Sequence, residues 1–249
     1  MVAVSCYVEV DTPRLPMHAR VWQRSVTTPG NVAFSTESPF PPSSISQSPV
    51  LLVVVATAPA SSSTPPRPAL VCLGDSITEG MGSTPDANAR YPDLISASLA
   101  APRNLAVLNA GISGNRLLPH PLDPAPHPGH PTHHRGYGAG APLESRLDAD
   151  VLAVENLRCV AILIGINDIF RGANASDIIA AHIRVAQHLR ARSPGVVLYG
   201  GTLPRDRSRR PPSGRGPARE EVPEEERRRV NEWVRTPGVY DGVLDFDEA

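Results

Sequence analysis

Ser76 follows an apolar run, Ala69 to Leu73, and a Gly74-Asp75 turn. A serine at such a strand end can be lifted out of a sheet and aimed into a crevice, where a hydroxyl serves as a nucleophile. Two more stretches carry residues that such a nucleophile needs. Ser113-Gly114-Asn115 offers a backbone amide at a glycine, which lets another group come close. Gly165-Ile166-Asn167-Asp168 offers the side-chain amide of Asn167. Donors of this kind can stabilise the charge that develops on a carbonyl oxygen under attack. Locally, Ser76 has a second reading. Ser76-x-x-Glu79 is also a capping box, in which the serine bonds the first free amides of a helix and the glutamate reaches back. The neighbouring sequence does not choose between them.

The elements around these turns do. From Ala69 the chain alternates apolar strands with helical patterns. Strands are expected over Ala69 to Leu73, Leu105 to Leu108, Cys159 to Ile164, Val196 to Tyr199 and Val243 to Phe246. Helices are expected from Tyr91 to Ala100, opened by Pro92, and from Leu143 to Val154. A third runs to Arg192, capped by Ser176, with Ile179, Ile183 and Ala186 inward, and a fourth starts at Pro223 and Glu224 to Glu226. This alternation predicts an α/β fold with a parallel sheet and helices on both faces. In such a sheet the ends of the first three strands share one crevice, and each of them carries one of the polar turns. That convergence favours the nucleophile reading of Ser76, with the amide dipoles of a helix N-terminus adding to it.

Upstream the pattern differs. Val2 to Asp11, Arg20 to Val26 and Val50 to Ala56 read as short strands separated by Pro/Gly turns, a partial β-rich segment over 1–60. Residues 61–68 form a Ser/Pro linker, and 69–249 the α/β domain. The apolar run Val50 to Val55 is too short to span a bilayer, so no stable membrane insertion is expected.

Composition removes several classes. A net charge of −1 leaves no footprint for nucleic acid, and 4% aromatic residues do not supply base-stacking platforms. The chain has no lysine, which excludes a Schiff-base lysine and a P-loop lysine. No Gly-x-Gly-x-x-Gly fingerprint follows Leu73, which argues against the alternative of a flavodoxin-like nucleotide-binding protein. Cys6, Cys72 and Cys159 lack metal-ligand spacing. His127, His130, His133 and His134 cluster in a Pro/Gly loop that does not preorganise ligands, so no metal or cofactor is expected.

Together, Gly74-Asp75-Ser76-Ile77-Thr78, Ser113-Gly114-Asn115 and Gly165-Ile166-Asn167-Asp168 resemble the first three signature blocks of the SGNH/GDSL hydrolases. The resemblance implies a flavodoxin-like three-layer α/β/α sandwich and serine ester hydrolysis, with a small-molecule or carbohydrate ester as substrate. It makes Ser76 the nucleophile and Gly114 and Asn167 the oxyanion hole. Ser113 to Leu118, Ser145 to Leu152 and Val239 to Asp247 are similar to a large, often secreted branch with an N-terminal β-domain. Arg116 stands beside the crevice as a candidate substrate contact. The family's fourth block, Asp-x-x-His, supplies the base and the acid that orients it. No histidine follows Asp241, Asp245 or Asp247, so the domain is expected to be C-terminally incomplete, with the base His and its orienting Asp not found. The rival expectation is a ligand-binding remnant without turnover.

Overall fold

The computed structural model describes residues 67–103, 105–119, 140–205 and 224–248. The expected β-rich segment over 1–60, most of the linker, the four-histidine loop and nearly all of the Arg-rich loop from 205 to 219 lie outside the described residues. The elements run β1 (Ala69–Gly74), α1 (Ser76–Glu79), α2 (Tyr91–Arg103), β2 (Ala106–Gly111) and α3 (Leu143–Leu147). After a single π-helical turn (Asp148–Leu152) come β3 (Leu157–Leu163), α4 (Ile166–Phe170), α5 (Ala175–Arg192), β4 (Val197–Gly201), α6 (Glu224–Arg235) and β5 (Gly242–Leu244).

All five strands are parallel, in the order β2-β1-β3-β4-β5. This is the flavodoxin-like order, whose ligand crevice lies where the chain reverses its direction of travel across the sheet. Here that point is the C-terminal end of β1. The register makes the crevice level: Gly74 pairs with Gly111 on one side and with Leu163 on the other. The turns after the three strands therefore start at the same height.

The strands are continuous apolar runs because both faces are covered. Side chains alternate between the faces. Val71, Leu73, Val160 and Ile162 join the larger core, with Leu147, Ile178, Val185, Leu189 and Val230. Leu70, Cys72 and Ala161 turn the other way, onto Tyr91 and Ile95 of α2. Burial of this kind contributes about 1.5–3 kcal/mol for each fully buried Leu, Ile or Val.

Several boundaries differ from expectation, each for a local reason. The expected helix from Leu143 to Val154 is α3 followed by the π-helical turn. Helix α5 is capped by Asn174, whose side chain accepts from Asp177 N at 2.9 Å, and not by Ser176. Its inner face is correspondingly Ile178, Ala181, Val185, Ala186 and Leu189, while Ile179 and Ile183 are only half-buried. Asparagine outranks serine only slightly as a cap, and the burial of Ile178 decides the register. Helix α4 was not expected at all, because its five residues are too few for a periodic pattern.

Between α5 and α6 lies a buried polar cluster. His182 Nδ1 is 2.7 Å from Tyr240 Oη, and the ring of Trp233 is 5.7 Å from each of theirs. Burial pushes His182 down to about 4, so the ring is neutral, and its Nδ1 and the Tyr240 hydroxyl share one hydrogen bond. Unfolding returns the imidazole to its ordinary value. The stability that depends on keeping it neutral is present above pH 6.5 and is lost as pH falls toward 4. Comparing His182→Leu with the parent by urea denaturation at pH 7.5 and pH 5 should show the parent losing about 2 kcal/mol more than the variant on acidification. Equal losses would remove His182 as the titrating group.

Candidate active site

Ser76 opens α1, a single turn that ends at Gly80 in the left-handed conformation (φ 108°). The cap of this turn is Asp75, whose side chain accepts from Ile77 N at 2.9 Å. The capping-box expectation is thereby corrected: the residue before the serine takes the role, because a carboxylate is an equal or better acceptor there. Ser76 Oγ makes no hydrogen bond to a described residue and is left half-buried. A four-residue turn is also too short to sum a macrodipole, so the electrostatic gain expected at Ser76 reduces to the free amides of one turn. The turn is pressed directly onto β2. The Glu79 amide occupies the space that a Cβ on Gly111 would need. Asn109 secures it further, donating to Thr78 O at 2.8 Å and accepting from Gly111 N at 2.9 Å.

The second turn begins as Ile112 N donates to Gly74 O, 3.1 Å away, which ties it to the end of β1. Gly114 has φ 75°, a conformation that strains any residue with a Cβ, and its N–H is bonded to no described residue. Asn115 is fully buried, and its Nδ2 donates to Ala141 O at 2.7 Å.

The third turn grips the second. Asn167 Nδ2 donates to Asn115 O at 2.9 Å, and its second N–H has no partner among the described residues. Asp168 is buried and accepts from Leu117 N at 2.9 Å and Leu118 N at 2.8 Å. Burial pushes its carboxyl up to about 6, against the pull of these two amides.

Arg146 of α3 holds the first and second turns together. Its side chain is 4% exposed, and every direction of its fork is used. Nε and Nη2 donate to Asn115 Oδ1 at 3.1 and 3.0 Å, and Nη2 also donates to Gly74 O at 2.9 Å. Nη1 donates to Ala110 O at 2.9 Å and pairs with Asp150 at 2.6 Å. Sequence reading saw this residue only inside a stretch of family resemblance. Its helical spacing was the available signal. Arg146 stands three residues after Leu143 and four before Asp150, so it shares their face of the helix.

Asp75 is completely buried, and its Oδ2 has no partner among the described residues. Desolvation raises it to about 7 despite the Ile77 amide and the charge of Arg146. Burial thus favours its protonated form, which spares the crevice part of a negative charge.

The remaining candidates fall elsewhere. Arg116 lines a pocket of about 300 Å³ beside the third turn, with Leu118, Pro119, Asp168, Arg171, Gly172 and Ala173. The two described histidines are committed: His182 to Tyr240, and His188 to Asp148 at 2.9 Å on the surface. Neither is a base for Ser76. Asp241 accepts from Leu198 N at 2.8 Å, Asp245 pairs with Arg235 at 2.7 Å and Asp247 with Arg227 at 2.6 Å. All three serve the packing of β4, β5 and α6.

A family model described as the GDSL-like Lipase/Acylhydrolase family matches residues 72–249. The chain belongs to that family. By family it is a carboxylic ester hydrolase of the SGNH/GDSL kind. Solved structures similar to it include AlinE4, an SGNH-hydrolase family esterase, at 16% identity and TM-score 0.44 over 68% of this chain and 69% of that one. A putative G-D-S-L lipolytic protein from Desulfitobacterium hafniense DCB-2 is 19% identical, with TM-score 0.46, over 72% and 77%. A lipase/acylhydrolase from Enterococcus faecalis is 22% identical, with TM-score 0.46, over 73% and 77%. No curated protein sequence matches the chain.

Two substitutions test how the site is held. Arg146→Met should cost about 3–5 kcal/mol in urea denaturation, because it leaves buried acceptors bare, and Arg146→Lys should recover only part of that. Asp75→Asn keeps the capping oxygen but removes the titration. The folded carboxyl is raised, so its cost to stability grows as pH rises from 3.8 to about 7. Between pH 5 and pH 8 the variant should therefore gain about 2–3 kcal/mol relative to the parent. A pH-independent difference would show that Asp75 does not titrate in this range.

Proposed function

We propose that Ser76 is the nucleophile of this hydrolase and that it attacks the carbonyl of an acetylated carbohydrate or a short acyl ester. The Gly114 N–H and the spare N–H of Asn167 receive the oxyanion. The observation that carries this reading is the freedom of three groups on level strand ends. The Ser76 hydroxyl is released from capping by Asp75, the Gly114 amide is bonded to no described residue, and Asn167 uses one amide hydrogen and keeps the other. Asn109, Asn115, Arg146 and Asp168 are by contrast committed to holding the turns in place. Donors fixed before the substrate arrives need no reorganisation as charge develops, which is what makes such a site effective. The reaction exchanges an ester for an acid and an alcohol through an acyl-serine, with water as the final acceptor and no cofactor.

A second reading has its own observation. Both described histidines are engaged away from Ser76, so among the described residues the serine has no base. In that reading the crevice binds an ester and turns it over only at the residual rate that binding and oxyanion donors supply, about 10³–10⁴ above water.

Hydrolysis of an aryl acetate by the purified chain separates the two. The esterase reading expects turnover abolished in Ser76→Ala, kcat lowered about 10²–10³-fold in Asn167→Ala with little change in KM, and a fluorophosphonate label on Ser76. Residual turnover that Ser76→Ala leaves unchanged, with no label, supports the binding reading and overturns the first.

A further inference from the structure

The pocket beside the third turn is built from the neighbours of the proposed oxyanion donors. Arg116 follows Asn115, whose carbonyl accepts from Asn167, and Asp168 follows Asn167 itself. The cavity therefore opens within one residue of the amide that would receive the oxyanion. Ser76, Gly114 and Asn167 are not among its lining residues, so the pocket would be reached by a group that extends from a bound ester past Asn167.

Its lining is of two kinds. Leu118, Pro119, Ala173 and Gly172 supply an apolar or featureless wall, and Arg116, Arg171 and Asp168 supply charge. The charges are not equivalent. Both oxygens of Asp168 are taken by the Leu117 and Leu118 amides, and the charge of Arg116 acts on that carboxyl, so this pair largely offsets itself. Arg171 is different. Its backbone N–H closes the end of α4 on Asp168 O at 3.0 Å, which fixes where the side chain leaves the helix. Its guanidinium is exposed and forms no hydrogen bond or ion pair with a described residue. Among the described residues Arg90, Arg146, Arg184, Arg227 and Arg235 are paired, whereas Arg67 and Arg158 are, like Arg171, exposed and unpaired but do not line this pocket. A guanidinium left uncommitted at the mouth of a small pocket is a planar fork of donors shaped for a carboxylate.

We propose that this pocket is an anion-recognising subsite, in which Arg171 selects esters that carry a carboxylate on the part of the substrate next to the reacting carbonyl. A volume of about 300 Å³ accommodates one sugar-sized or short-chain group, with its apolar side on Leu118 and Ala173 and its carboxylate toward Arg171. The chemistry fits a uronate on the alcohol side or a dicarboxylate half-ester on the acyl side. The substrate class rests on the esterase reading of Ser76; the anion site itself does not.

Matched esters test it. An acetylated methyl glucuronoside with its carboxylate free, against the corresponding acetylated methyl glucoside, probes the alcohol side, and an aryl hemisuccinate against an aryl butyrate probes the acyl side. In one of these pairs the parent chain should favour the acidic ester at least about tenfold in kcat/KM, mainly through KM. Arg171→Ala should collapse that ratio toward one, and Arg171→Glu should invert it. Because Arg171 is exposed, both variants should melt with the parent. Equal treatment of both members of both pairs by the parent, or a ratio unchanged in Arg171→Ala, overturns the subsite. A second readout does not need turnover. Titration of methyl glucuronoside or succinate into Ser76→Ala protein, followed by calorimetry at low salt, should give binding that is lost on adding Arg171→Ala. If no ester is hydrolysed but this binding is present and Arg171-dependent, the esterase reading fails and the subsite stands; if it is absent, the subsite fails on its own.

Discussion

The crevice depends on one buried cation. Arg146 reaches from α3 to the ends of β1 and β2, where it bonds a main-chain carbonyl from each strand and the side chain of Asn115. Carbonyls at the ends of parallel strands have lost the next rung of the ladder, and in a buried position each unsatisfied one costs about 1–3 kcal/mol. A lysine could satisfy one or two of them. A guanidinium satisfies all of them in a plane, with Asp150 neutralising its charge from the outer side. The cost of burying an ion is thus offset by hydrogen bonds to Gly74 O, Ala110 O and Asn115 Oδ1, the first of which also takes the Ile112 amide. The same bonds bring the turns after β1 and β2 to a fixed separation. Stability and site geometry are consequently one property here, and a change at Arg146 cannot affect the first without the second.

Much of this arrangement was legible in the sequence, because the signals were local. An apolar run followed at once by a Gly-containing polar turn identifies a strand end, and three of them in alternation with helices order a parallel sheet. The strand positions followed to within two or three residues. What was misplaced were caps. At Asp75-Ser76 and again at Asn174-Ala175-Ser176, two competent cap residues stand close together, and only the burial of the first apolar side chain of the helix chooses between them. Helix α4 was missed because five residues give no period. Arg146 was missed because a basic residue in a charged helix looks solvated unless its face is counted against Leu143 and Leu147, both buried.

Charge in the crevice follows from the same burial. Two carboxyls, Asp75 and Asp168, lie buried close to where an oxyanion would form, a placement that should oppose it. Desolvation answers this by raising both, to about 7 and about 6, and the amides of Ile77, Leu117 and Leu118 take up what negative charge remains. The carboxyls are useful as acceptors that shape turns, and burial limits the field they would otherwise impose. The turns can thus use aspartate acceptors with less negative charge beside Ser76 and Asn167.

Successive residues of a helical turn point about 100° apart, and α4 uses that divergence. Asp168 points inward and holds the second turn by its amides at Leu117 and Leu118. Asn167 is half-buried toward the crevice and holds the same segment by the Asn115 carbonyl. The segment is therefore gripped on its donor side and its acceptor side by adjacent residues, and Gly114, one residue before Asn115, cannot shift relative to Asn167. A side-chain amide has two hydrogens for this reason of use: one fixes its orientation against the Asn115 carbonyl, and the other is thereby aimed. A serine or threonine at position 167 could donate once but would have nothing left to hold it. An asparagine here can be held by one N–H and still carry a second donor.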